Sequence, residues 1–139
     1  MAISDNNVEV LRADLMPSYK TAAAVTQGLN VFMSTTNDVV TAMSSTTVGK
    51  RFGMASVLAT ASGAESIPIL RKGKIRVDLS VTAVFSGTAG SCAAAGLFYV
   101  DTNGKFSESS SGTSQVGVIT ATDASTYAEV EVDYTNPSA

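Results

Sequence analysis

Histidine and tryptophan are absent from this 139-residue sequence, and cysteine occurs once. Without histidine the chain lacks the commonest general base, the Ser-His and Cys-His nucleophile pairs, and the commonest zinc ligand. A lone cysteine cannot form an internal disulfide, and the small neighbours of Cys92 in "GSCAAAG" predict a buried packing residue. The sequence therefore predicts a protein that is not an enzyme and binds neither a cofactor nor a metal.

Charge and long apolar segments are also scarce. Charged residues make up 15% of the chain and the formal net charge is −3, which provides no positive field to attract a nucleic acid. The longest apolar run, residues 92–100, is about half of the roughly 20 residues that a membrane-spanning helix needs. The first residues carry acids and amides where a signal peptide has basic residues. We expect no nucleic-acid partner, no membrane association and synthesis in a cytoplasm.

Alternation with a period of two is the clearest positive signal. In "GKIRVDLSVTAVF" and in "YAEVEVDY" every second residue is apolar, which predicts strands over 73–85 and 127–134. Shorter β-like segments separated by Gly, Ser, Asn and Asp occupy 37–43, 52–60, 65–70 and 115–121. Many short strands at this spacing predict an all-β, single-domain β-sandwich or jelly roll, or a small β-barrel.

Three other segments give local predictions. Asn103-Gly104 within "GLFYVDTNGKF" predicts the tip of a β-hairpin with a type I′ turn, rather than a binding loop. The Ala-rich stretch 20–30 predicts one or two helical turns that end at Gly28. The Ser-rich stretch 107–114 predicts an exposed loop.

Basic residues cluster in "RKGKIR", with a smaller pair in "GKRF". One interpretation is a solvated strand edge; the other is a contact patch for an acidic protein surface. The candidate contact residues are Arg71, Lys72, Lys74 and Arg76, together with Lys50 and Arg51.

Three carboxylates, Glu129, Glu131 and Asp133, share one face of the second predicted strand. Neighbours in such a row are about 6.6 Å apart, but calcium needs ligands that converge on one point, and a glycosidase needs a groove. The interpretation that we favour is a solvated or ion-paired face. Pairing of this row with the basic cluster of a sister subunit would make the protein at least a dimer.

The first 18 residues are predicted to form an extended arm, and residues 19–139 the β domain. Apolar residues alternate with charged ones up to Pro17, which cannot donate a backbone hydrogen bond. Such a segment is suited either to strand addition on a neighbouring subunit or the shell, which we favour, or to service as the first strand of its own domain. Its candidate contact residues are Val8, Val10, Leu11, Arg12 and Leu15.

From residue 72 to residue 134 the sequence resembles the decoration, or cement, proteins on the capsids of tailed bacteriophages. The resemblance lies in "GKIRVDLSV", "AGLFYVDTNGKF", "GTSQVGVITA" and "AEVEVDY", with "FGMASVLATASGAESIPIL" as a matching upstream unit. It implies a small jelly-roll or barrel subunit that forms a homodimer or homotrimer. It also implies a virion protein that binds the outer surface of the major capsid protein shell and stabilises the DNA-filled head. The family has no catalytic residues to transfer.

Two other classes remain open at this point. One is a carbohydrate-binding or receptor-binding β module, although the chain lacks the tryptophan that commonly stacks on sugars. The other is a different phage assembly subunit, from the tail or baseplate.

Overall fold

The structure is a computed structural model that describes residues 7–34, 39–42, 51–57, 66–109, 114–123 and 126–135. Within these residues it is all β, as the sequence predicted, with no α-helix and a single short 3-10 turn at Ala89–Ser91. The strands are β1 Val8–Leu15, β2 Ser18–Thr21, β3 Asn30–Met33, β4 Val39–Ala42, β5 Arg51–Ala55, β6 Ser66–Leu70, β7 Lys72–Asp78, β8 Leu97–Val100, β9 Phe106–Ser107, β10 Ser114–Asp123 and β11 Tyr127–Asp133.

Six strands form an antiparallel sheet in the order β1-β7-β11-β10-β8-β9, which we call the large sheet. The alternation in β7 and β11 determines its two faces. Gly73, Ile75 and Val77 of β7 are buried on the inner face, and Lys72, Lys74 and Arg76 lie on the outer face. β11 repeats the pattern with apolar residues inside and carboxylates outside.

The other five strands close into a small barrel in the order β2-β4-β3-β5-β6, with β6 pairing back onto β2. Only β2 and β4 run parallel; the remaining pairs are antiparallel. Its interior holds a small apolar core of Val25, Val31, Val40, Ala55, Ile67 and Ile69. The fold thus combines the sheet and the barrel that the sequence offered as alternatives.

One long antiparallel ribbon belongs to both units. β1 runs into β2, and β6 runs into β7, so each of the two backbones passes from the barrel to the large sheet. Backbone bonds continue the ladder through the junction, from Ile69 N to Pro17 O at 2.7 Å and from Arg71 N to Leu15 O at 2.8 Å. The Arg71 side chain donates to Phe52 O at 3.1 Å and lies 4.0 Å above the Phe52 ring. Arg71 is therefore used in holding the barrel against the large sheet.

The inner face of the large sheet carries the main core. Residues 79–86 leave β7 and turn across this face, where Leu79, Val84 and Phe85 are buried. Phe98 stacks between Phe85 and Phe106, with ring centroids 6.2 and 5.4 Å apart. Met54 and Leu70 extend the core towards the barrel, and Cys92 is also buried in it.

The strand predicted over 73–85 is too long at its C-terminal end. It stops at Asp78, because the Asp78 carboxylate accepts hydrogen bonds from Ser80 N at 3.0 Å and Ser80 Oγ at 2.7 Å and turns the chain. Leu79 and Phe85 of the continued alternation are buried in the core and Val81 packs against it, whereas Ala83 is exposed. The strand predicted over 127–134 is confirmed as β11.

The segment 20–30 is not helical. It contains the end of β2, a bend and the start of β3, and Gln27 within it is buried. Of the predicted loop 107–114, Ser107 is buried in β9 and residue 114 begins β10; residues 110–113 lie outside the described part of the chain.

Asn103-Gly104 does lie at a hairpin tip, between β8 and β9, but the predicted type I′ turn is wrong. Gly104 has a positive φ of 82°, whereas Asn103 does not. The loop spans five residues, closed by hydrogen bonds from Gly104 N to Asp101 O and from Asp101 N to Lys105 O. The tip is not a free binding loop either, because Gly104 O accepts from both the backbone N and the side-chain Nδ2 of buried Asn30, each at 2.9 Å.

Residues 8–15 of the predicted arm form β1, the edge strand of their own sheet, where Val8 pairs with Val77 and Val10 with Ile75. This is the second of the two roles considered for the segment. The first six residues lie outside the described part of the chain, and strand addition along the other edge of β1 stays a prediction.

Candidate interaction surface

The outer face of the large sheet carries most of the charged residues that the sequence singled out. The register places one continuous row across five strands, which we call the central row: Leu97, Val118, Glu131, Lys74 and Arg12. A neighbouring row contains Ala121, Glu129, Arg76 and Glu9. The basic strand β7 therefore lies between the acidic residues of β11 and the mixed charges of β1.

Ion pairs connect these rows within the chain. Arg76 Nη2 lies 2.9 Å from Glu129 Oε2, and Arg76 Nη1 lies 3.4 Å from Glu9 Oε1. Lys74 Nζ lies 3.7 Å from Glu129 Oε1. Arg12 reaches over β7 to both carboxylate oxygens of Glu131, at 2.6 and 3.0 Å, and also contacts Asp14 at 3.0 Å. The basic cluster and the carboxylate row thus pair within one subunit, so this contact needs no sister subunit.

The ion pairs change the titration of the groups that make them. The hydrogen bond from Arg76 holds the pKa of Glu129 below its usual value, and the bond from Arg12 does the same for the pKa of Glu131. The partner carboxylates raise the pKa of both guanidinium groups further. This half of the face is therefore a charged but internally compensated surface.

The other half of the face carries an exposed apolar pair. Leu97 and Val118 are direct cross-strand partners, 42% and 39% exposed. Ala93, Ala94 and Ala95 are exposed in the turn that leads into β8. Two of the six large hydrophobic residues exposed in the described part of the chain thus lie side by side at one end of the central row.

The remaining predicted contact residues are scattered. Val8 is buried in the core and Val10 packs against it, whereas Leu11 and Leu15 are exposed along the edge of β1. Lys72 is exposed and lies opposite Asp133, whose Oδ1 accepts from Thr135 N at 2.9 Å. Lys50 lies outside the described residues, and Arg51 is described only as the backbone that begins β5. Arg71 is occupied at the junction described above.

Sequence reasoning missed two kinds of residue. The buried amides Gln27 and Asn30 fasten the start of β1 and the hairpin tip, and their only signal was a polar residue among apolar neighbours. The Leu97–Val118 pair was missed because "LFYV" and "QVGVITA" are apolar on both strand faces, and only the sheet order shows which face is exposed.

Two further kinds of site, a metal site and a membrane-spanning helix, were looked for in the described residues. Over the described ranges, no group of three or more His, Cys, Asp or Glu residues is arranged to hold a metal ion. Among the same residues no helix has the length and apolarity needed to cross a membrane.

No protein-family model matches the sequence, and no curated protein matches it. Among solved structures, a chain from the structure described as the capsid of Myoviridae phage XM1 superposes with a TM-score of 0.64. The two chains share a fold. The superposition covers 86% of this chain and 82% of that chain, at 14% sequence identity, so the two chains are of nearly equal length.

Proposed function

We propose that this chain is a structural protein of a tailed-phage virion, and that it acts as a decoration, or cement, protein on the outer surface of the capsid shell. The observation that carries the proposal is the fold shared with a phage capsid chain over more than four fifths of both chains. The resemblance of residues 72–134 to decoration proteins supports the same class. The proposed partner is the major capsid protein, and the proposed location is the head surface.

The outer face of the large sheet is the surface that we assign to the shell. It is a six-stranded antiparallel face whose charges are largely compensated within the chain, so docking would not leave many buried ions unpaired. Leu97 and Val118 provide an exposed apolar pair at one end of its central row. Few aromatic residues are available for stacking on a sugar, which favours a protein partner over a carbohydrate.

The test is cosedimentation with purified capsid shells that lack the protein. We expect saturable binding at a fixed ratio of chain to capsid subunit, and no binding to purified tails or baseplates. Binding to tails alone, or no binding to intact shells, would contradict the proposal.

A matched pair of variants tests the assigned face. Val118→Glu places a charge on the outer face, while Ala83→Glu places it on the exposed turn that covers the opposite side of the sheet. We expect Val118→Glu to weaken shell binding at least tenfold and Ala83→Glu to leave it unchanged. Equal binding by the two variants would reject this face while leaving the capsid role open.

A further inference from the structure

Asn103, at the tip of the hairpin between β8 and β9, differs from the other asparagines that the structure describes. Asn30 is fully buried, and its side-chain amide donates to Gly104 O at 2.9 Å. The Asn7 side chain donates to a backbone carbonyl at 3.4 Å. Asn103 is exposed, and its side chain makes no hydrogen bond to any described residue. Its amide group is therefore free to react.

The residue that follows Asn103 determines which reaction is open to it. Gly104 has no side chain to shield its backbone nitrogen from Cγ of Asn103. This nitrogen loses its proton to a base in solution and bonds to Cγ, which closes a five-membered succinimide ring and expels the side-chain nitrogen as ammonia. Water then opens the ring at one of its two carbonyl groups. One opening gives aspartate, and the other gives isoaspartate, whose main chain is one methylene group longer.

We propose that Asn103 is a site of spontaneous deamidation in the folded protein, and that the hydrogen bonds of the hairpin tip set its rate. Gly104 N donates to Asp101 O at 3.1 Å, so the attacking nitrogen is engaged in the closed turn. The Asp101 carboxylate also holds this turn, because its Oδ1 accepts from Asn103 N at 2.8 Å and from Lys105 N at 3.0 Å. The reaction therefore proceeds when the turn opens locally. This inference concerns the isolated chain and does not rest on the capsid role.

The two products differ in their effect on the contact between the hairpin tip and the barrel. Gly104 O accepts from N and Nδ2 of Asn30, each at 2.9 Å. Aspartate leaves the main chain unchanged and removes no side-chain hydrogen bond within the described residues. Isoaspartate inserts a methylene group directly before Gly104 and displaces this carbonyl. Because two buried donors of Asn30 then lose their acceptor, we expect isoaspartate to destabilise the fold and aspartate to leave it nearly unchanged.

Peptide mapping by mass spectrometry tests the site. The purified natural chain is incubated at mildly alkaline pH, and the deamidated fraction at Asn103, Asn30 and Asn7 is followed over time. We expect Asn103 to react at least about tenfold faster than the other two and to yield both products, because a loop tip opens far more readily than a buried strand. Asn103→Gln is the control, since glutamine must close a less favourable six-membered ring. An Asn103 that reacts no faster than Asn30 would overturn the proposal.

A matched pair of carboxylate deletions tests what sets the rate. Asp101→Ala removes the acceptor of two backbone N–H groups in the turn. Glu108→Ala removes a carboxylate that accepts from Thr88 N at 2.9 Å, outside the turn. We expect Asp101→Ala to speed deamidation of Asn103 roughly fivefold, because each hydrogen bond lost from the closed turn makes local opening easier, and Glu108→Ala to leave the rate unchanged. Equal rates in the two variants would refute control by the turn.

Urea unfolding of the separated products tests the consequence. Asn103→Asp reproduces the aspartate product, whereas the isoaspartate product is isolated from the incubated natural chain by ion exchange. We expect the urea midpoint of Asn103→Asp to match that of the natural chain and the midpoint of the isoaspartate fraction to be lower. Equal midpoints for the two products would refute this account of the hairpin contact. None of these measurements uses capsids, so their outcome is independent of the capsid proposal.

Discussion

Removing the Tyr134 hydroxyl tests how the two units of the fold are joined. Tyr134 follows β11 and is buried, and its hydroxyl donates to Oδ1 of Asn30, the fully buried first residue of β3. The Asn30 amide in turn donates to Gly104 O at the hairpin tip. The hydrogen bonds among Tyr134, Asn30 and Gly104 thus connect the end of the large sheet, the barrel and the hairpin tip.

The expected cost of Tyr134→Phe follows from what is left behind. The substitution keeps the ring and its packing, but it removes the donor that Asn30 Oδ1 has in the native structure. A buried acceptor that loses its partner costs about 1–3 kcal/mol. For a domain of this size that cost lowers Tm by about 4 to 10 °C.

Urea unfolding followed by circular dichroism measures this cost, and a double-mutant cycle with Asn30→Ala assigns it. Asn30→Ala alone should cost more than Tyr134→Phe, because it removes two side-chain hydrogen bonds at once. These are the bond from the Tyr134 hydroxyl and the bond to Gly104 O. If the two residues act through their hydrogen bond, the double variant should be more stable than the sum of the single effects by about 1 kcal/mol. A loss below about 0.5 kcal/mol for Tyr134→Phe, or strict additivity, would refute this account of the junction.

Three further predictions concern other parts of the molecule. Because Glu129 and Glu131 have lowered pKa values in the folded state, their ion pairs stabilise the fold above the ordinary carboxyl pKa and lose that effect as the pH falls. Thermal melts should therefore show a Tm that decreases as the pH is lowered past about 4.5. The decrease should be less steep in Glu129→Gln. Burial raises the pKa of the Cys92 thiol to about 11, so a thiol reagent at pH 7.5 should label the native protein far more slowly than the urea-unfolded chain, and equal rates would contradict the burial. Gly104→Ala should destabilise the folded protein by about 1–2 kcal/mol, because Gly104 has a positive φ of 82°. Gly90→Ala is the matched control, since nothing lies within 4 Å of its added Cβ. The urea midpoints of the two variants make the comparison.

The sequence predicted the fold class because the outward charges of β7 and β11 alternate with buried Ile, Val and Ala, and such alternation depends on one strand alone. It did not predict which strands are neighbours. Pairing of Arg76 with Glu129 depends on β7 lying beside β11, 53 residues along the chain, and on a register without a bulge. Because the sequence does not show that β7 and β11 are neighbours, their opposite charges were predicted to pair between subunits.

Local chemistry explains the other differences. The overlong prediction for β7 arose because apolar alternation does not distinguish a strand from a turn that also faces the core. The helical prediction for 20–30 relied on alanine propensity, which the tertiary contacts of Gln27 and Asn30 overcame. Of the candidate surface, the charged half was identifiable from the sequence, whereas the Leu97–Val118 half required the fold.

The ribbon that passes from the barrel into the large sheet has a mechanical consequence. A load that pulls the two units apart along this ribbon acts on two covalent backbones, β1 to β2 and β6 to β7, and its ladder hydrogen bonds lie across the pulling direction. The two units therefore cannot be separated along the ribbon by breaking one hydrogen bond at a time. A force along the ribbon is shared by both backbones, so the junction should withstand a load that would separate two units held by side-chain contacts alone.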